Sequence, residues 1–203
     1  MKKIIFLVIT VIISFTTVSN LFAVNEAAAL FLLISPGSRV AGMGEAFVAV
    51  ADDASAVYWN PAGLAFQSGL EITFTHAKWL PQLVTDMAYE FVAYKQYIEN
   101  ISGTIGANVT FLNLGEVYQY NSDTGEFLGT FNSWDLAVSM SYGTKLSPNF
   151  GLGVTARYIR GRVLSNDGTS YGVDLGVLYK IPKWKNLRFG ANLSNMGPKI
   201  TYG

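Results

Sequence analysis

The sequence predicts an all-β fold, an antiparallel transmembrane β-barrel with an N-terminal hatch inside its lumen, and three observations predict it. From Leu70 onward apolar residues recur with period two, in segments near the ~9–11 residues that a tilted strand needs to cross the hydrocarbon. These apolar rows end in aromatic side chains, as lipid-facing rows do where they meet the headgroups. The chain is 50% hydrophobic and only 14% charged, against ~25% charged in an ordinary soluble domain.

Residues 1–23 begin with Lys2-Lys3, continue through the apolar run Ile4 to Phe15 and end on Ala23. A charged start, an apolar core too short for a membrane span and a small final residue describe a secretory signal peptide, cut near Ala23. The alternative, a membrane anchor, lacks a positively charged stop behind it. Residues 24–69 form the expected hatch. Within it, Ala27 to Ile34 is a second apolar patch, far shorter than a bilayer span, and reads as a short helix or strand packed inside the protein. Pro36 to Phe66 shows neither helical nor strand periodicity; small residues dominate, Gly37, Gly42, Gly44 and Gly63 punctuate it, and Pro61 closes it. That pattern predicts a compact irregular plug.

Residues 70–203 carry the strands. Phe150, Leu152, Val154, Ala156 and Tyr158 alternate with Gly151, Gly153, Thr155 and Arg157, and Tyr171, Val173, Leu175, Val177 and Tyr179 alternate with Gly172, Asp174 and Gly176. Trp134 to Tyr142 follows the same rule. Weaker strands fall at Leu70–Trp79, Asp86–Tyr97, Ile101–Asn113 and Leu187–Asn195, which makes about seven. Connections alternate in length: Tyr97–Ile101, Leu146–Asn149 and Ile181–Asn186 are short, whereas Lys78–Asp86, Leu114–Thr130 and Gly161–Thr169 are longer. Outer-membrane barrels have short periplasmic turns and long outer loops, so the first strand runs outward and the hatch starts in the periplasm. Asn121 to Gly125 reads as the tip of a hairpin that extends the third and fourth strands beyond the membrane. Seven strands leave an open edge, and unpaired backbone groups in lipid cost several kcal/mol each.

Net charge is zero, so no basic surface points to nucleic acid. Cysteine is absent, which excludes disulfides, thiolate metal sites and a cysteine nucleophile. Gly168-Thr169-Ser170-Tyr171-Gly172 matches G-x-S-x-G, but a nucleophile elbow needs a strand before it, a helix after it and a later histidine. Here a strand follows, and the one histidine, His76, precedes it. Ser170 is expected at a strand-edge turn and His76 at the membrane interface; no catalytic residue, cofactor or metal is expected. Gly42 and Gly44 flank Met43 without the spacing of a phosphate loop and are expected to permit tight backbone approach. Asp52 and Asp53 are expected either to cap a helix starting near Ala54 or to pair with Arg39, pinning the plug to the lumen wall. Arg157, Arg160, Arg162, Lys180 and Asp174 are expected to be solvated lumenal or rim charges. In Asn60-Pro61-Ala62, Pro61 fixes a bend and holds Asn60 extended, leaving the Asn60 amide to satisfy nearby backbone groups.

Gly37-Ser38-Arg39, Ala41-Gly42-Met43-Gly44, Ala49 to Ala54 and Tyr58-Trp59-Asn60-Pro61-Ala62-Gly63-Leu64 together resemble the N-terminal signature of the PorV/PorQ proteins, in the wider superfamily of FadL-like outer-membrane barrels. The resemblance implies a bacterial outer-membrane barrel of about fourteen strands, so that this chain would be its N-terminal portion, ending at Gly203 in an outer loop. A half-barrel that pairs with another chain is the alternative. The resemblance further implies a component of type IX secretion, in contact with outer-membrane lipid, secreted proteins and other secretion components. The FadL side of it implies instead a channel for uptake of hydrophobic small molecules. The hatch motif it marks comprises Gly42, Gly44, Asp52, Asp53, Asn60, Pro61, Ala62 and Gly63, with Arg39 as the pairing residue.

Overall fold

The structure, a computed structural model, describes residues 29–80, 86–163, 166–184 and 187–202. The signal peptide expected over residues 1–23 lies outside them. Seven strands follow one another in a single antiparallel sheet: β1 (Leu70–Lys78), β2 (Ala88–Ile98), β3 (Gly103–Tyr120), β4 (Phe127–Ser147), β5 (Phe150–Val163), β6 (Asn166–Lys180) and β7 (Arg188–Met196). A two-residue strand, β8 (Thr201–Tyr202), pairs back onto β6. The sheet is not closed: among the described residues β1 and β7 are its edges.

The alternation is inverted relative to a soluble sheet. On β6, Tyr171, Val173, Leu175, Val177 and Tyr179 are exposed, whereas Gly172, Asp174, Gly176 and Leu178 are buried. Strand register lines the exposed residues up across the sheet, so that Phe74, Val92, Val109, Val138, Tyr158 and Tyr171 form one row. An apolar face of that extent exceeds the few hundred Å² that soluble monomers expose, and hydrocarbon is the solvent that suits it. Aromatic pairs bound the exposed face of β5 and β6 at its two ends, Tyr158 with Tyr171 at a centroid separation of 5.5 Å and Phe150 with Tyr179 at 6.4 Å.

The buried face packs on the N-terminal segment, which folds into four short turns: η1 (Leu30–Leu33), α1 (Ser38–Gly42), α2 (Ala56–Trp59) and η2 (Pro61–Phe66). The described part of the apolar patch expected at Ala27–Ile34 holds the single turn η1, with Phe31 and Leu32 buried. These two side chains and Ala54 join Tyr89, Phe91, Leu112 and Ile159 of the sheet in one core, while Val40, Phe47, Val57 and Leu64 form a second core within the hatch. The sheet therefore wraps its own N-terminal segment.

The hairpin expected to extend the third and fourth strands is present: after a bulge, β3 and β4 pair on to Tyr120↔Phe127, and Asn121 Oδ1 accepts the Asp123 and Thr124 N–H groups at the tip, so that the connection over Leu114–Thr130 is mostly strand. Likewise Gly161–Thr169 pairs as far as Val163↔Asn166, because Arg160 and Arg162 both hold Asp167 across the strands and override the two glycine turn signals. At the end of β7 the chain turns. Asn195 turns left-handed at φ +58° and donates its N–H to Asp174 Oδ1, which bends the backbone away before Thr201–Tyr202 returns to β6. Gly203 lies outside the described residues.

Candidate functional site: the hatch and its seat

Asn60 is completely buried. Its φ of −166° keeps it extended, as the residue before a proline must be, and Pro61 then opens η2, where its missing N–H costs nothing. The side-chain amide uses both of its donors and its oxygen at close range. Nδ2 donates to the Val48 carbonyl at 2.9 Å and to the Val177 carbonyl of β6 at 3.1 Å, while Oδ1 accepts the Ala62 N–H at 3.0 Å. One residue thus ties two parts of the hatch to the wall.

The wall under this turn is floored with glycine. Register places Gly143, Gly153 and Gly176 side by side on β4, β5 and β6. A Cβ on Gly143 would stand 2.6 Å from the Pro61 carbonyl oxygen, one on Gly153 would collide with the Pro61 and Ala62 backbone, and one on Gly176 would strike Asn60 Oδ1 and the Pro61 ring. Gly190 of β7 is filled in the same way by Val48 and Ala49. Gly63 has the reverse role: it brings the hatch onto itself, its Cβ position being occupied by the Ala51 carbonyl. Wall side chains complete the seat by donating to hatch carbonyls, Asn192 to Trp59 at 3.1 Å and Lys95 to Ser68 at 2.7 Å.

The charged trio of the hatch behaves differently from expectation. Arg39 pairs with Asp52 at 2.7 Å and with Asp53 at 3.0 Å, so the contact is internal to the hatch and does not pin it to the wall. Asp53 takes the pairing alternative; its Oδ1 also accepts the Ser55 N–H at 2.9 Å just before α2, while α2 itself carries no side-chain cap bond. The Arg39 hydrogen bond holds the Asp52 carboxyl below its ordinary range against the opposing effect of burial, and Asp52 in turn raises Arg39. Gly42 ends α1 and Gly44 turns at φ +62°, both facing open space, so the tight backbone approach expected of this pair occurs at Gly63 instead.

Sequence reasoning missed one constellation. Arg157 and Asp174 are not solvated; their side chains are 2% and 0% exposed and pair at 2.9 Å. Arg157 also donates to Ser139 and Asn195, and Asp174 accepts the Asn195 N–H. Opposite charges on the inward faces of consecutive strands were the available signal. Ser170 sits inside β6 with its hydroxyl donating to the Pro198 carbonyl, not at a strand-edge turn. His76 points outward on β1 and meets Glu90 of β2 at 2.6 Å.

An apolar outward face on an antiparallel sheet and an inward face packed on the chain's own hatch segment define a hatch-bearing β-barrel-type protein of the outer membrane. A family model described as "Type IX secretion system protein PorV" matches residues 19–203, and the chain belongs to that family, a component of type IX secretion in the outer membrane. Comparisons with curated proteins and with solved structures gave no match. The uptake reading drawn from the FadL-like superfamily gains no support from the family match.

Proposed function

We propose that this chain serves type IX secretion with its hatch seated, its partners meeting the long β3–β4 hairpin outside the membrane. The short turns at Ile98–Gly103, Ser147–Phe150 and Lys180–Arg188 lie at one end of the sheet and the long hairpins at the other, so the long end faces outward by the rule for outer-membrane barrels. One observation carries the reading. Beyond Asn113 and Trp134 the β3–β4 ribbon continues for another seven positions of β3, roughly 20 Å at the usual strand rise, and ends in exposed Tyr118, Tyr120, Phe127 and Leu128. Tyr118 and Tyr120 both stack near Phe127, at 6.2 and 5.6 Å. Aromatic groups held on a ribbon clear of the lipid serve to meet a secreted protein or another secretion component.

In this reading the apolar belt meets outer-membrane lipid, the exported precursor loses residues up to about Ala23, and no step is catalytic. Shortening the hairpin by removing residues 118–128 tests it. Secretion of cargo should fall at least tenfold while the barrel still shows heat-modifiable migration; normal secretion by the shortened protein would overturn the proposal. N-terminal sequencing of the outer-membrane form tests the cut.

A further inference from the structure

The zero net charge of the chain conceals an unbalanced cluster at the short-turn end. Lys145 of β4, Lys180 of β6 and Arg188 of β7 lie on inward-facing positions of their strands, around the ring of Phe66 from η2. The Lys180 and Lys145 ammonium groups stand 3.9 and 5.6 Å from the ring centroid. Arg188 reaches only the Val50 carbonyl, at 3.4 Å. Among the described residues none of the three forms an ion pair. The nearby carboxylates are already engaged, Asp52 by Arg39 and Glu71 by Lys95. Lys180, Arg188 and Lys95 line a cavity of about 320 Å³ beside Phe66, and Gln67, on the same cavity, holds a buried Oε1 with no hydrogen-bond partner.

We propose that this mouth binds an acidic polypeptide segment presented from the periplasm. Two features select a peptide. The cations face the lumen, whereas the outward positions beside them on the same strands are Tyr179 and Phe189, so lipid headgroups meet aromatics and not lysines. From β4 to β7 the cluster crosses three strand spacings, roughly 14 Å, which fits carboxylates spread along an extended chain better than a single small anion. This inference concerns the end opposite the β3–β4 hairpin and stands apart from the proposed function.

The test is fluorescence anisotropy with the full chain in detergent micelles and a labelled ten-residue peptide alternating Glu and Gly. The glutamate peptide should bind, its Gln–Gly counterpart should not, and affinity should fall as salt rises past 0.1 M, where the screening length is about 10 Å. The triple variant K145Q/K180Q/R188Q should lose about tenfold in affinity. Lys145→Gln alone, an exposed side chain whose loss leaves packing intact, should lose two- to threefold and guards against misfolding of the triple variant. The outer-end variant R160Q/R162Q should bind as the wild type does. Equal affinity in the triple and Lys145→Gln variants overturns the proposal, as does equal loss in R160Q/R162Q. Full competition by millimolar inorganic phosphate would make this a small-anion site, and binding to phosphatidylglycerol vesicles but not to the peptide would make it a lipid site; either result contradicts it.

Discussion

Asn60 and the glycines beneath it show how much of the hatch seat rests on single atoms. A buried amide that donates twice and accepts once leaves orphaned carbonyls when removed, at a cost of about 1–3 kcal/mol for each unsatisfied group. Asn60→Ala should therefore lower the thermal midpoint in micelles clearly, and Asn60→Asp should do no better, because a carboxylate offers no donors to the Val48 and Val177 carbonyls. Gly153→Ala pushes a methyl into the Pro61–Ala62 backbone and should destabilise by ~1–3 kcal/mol. Gly172→Ala is the control: the new Cβ would stand 3.6 Å from its nearest neighbour, the Asn195 Cα, an ordinary contact, and stability should not move. Circular-dichroism melts of the four variants decide all of this. The Asn60-Pro61-Ala62 motif was legible in the sequence as a bend with a busy amide. The glycine floor was not, because its members lie on three strands and become neighbours only once the register is set.

Within the elements, the hatch and the wall are held by different means. The Arg39–Asp52 contact is largely exposed, so its worth is below about 1 kcal/mol. Since Asp52 titrates below its ordinary value of 3.8 when folded, that contribution is present above pH 3.8 and is lost as pH falls through the lower folded value. Hydrogen exchange over Val40–Ala51 should accelerate only below about that pH in the native chain, and the acid step should vanish in Asp52→Asn. The Arg157–Asp174 pair is buried, so truncating one partner strands a charge: Arg157→Leu should cost about 3–5 kcal/mol, and R157L/D174L should recover much of it. Chemical denaturation of the three proteins gives the comparison. Strand identity was readable from period two. Strand ends were not, since cross-strand partners such as Tyr120 with Phe127 and Arg162 with Asp167 prolong hairpins through glycine-rich turn signals. The rule that a charge inside a barrel is solvated failed at Arg157 because Ser139, Asn195 and Asp174 surround it.

At the scale of the whole molecule the question is whether the hatch moves. A channel that works by releasing its hatch moves the Asn60 turn off its glycine seat, whereas partner contact at the β3–β4 hairpin needs no such movement. The chain contains no cysteine, so an introduced pair reports without background. A Cβ on Gly151 stands 3.0 Å from the Ala65 Cβ, and a small outward shift brings the two to disulfide spacing. The most direct measurement is secretion by A65C/G151C with the tether oxidised and then reduced. Secretion at the same rate in both states is the expected result; secretion abolished by the tether and restored by reductant would contradict a hatch that stays seated.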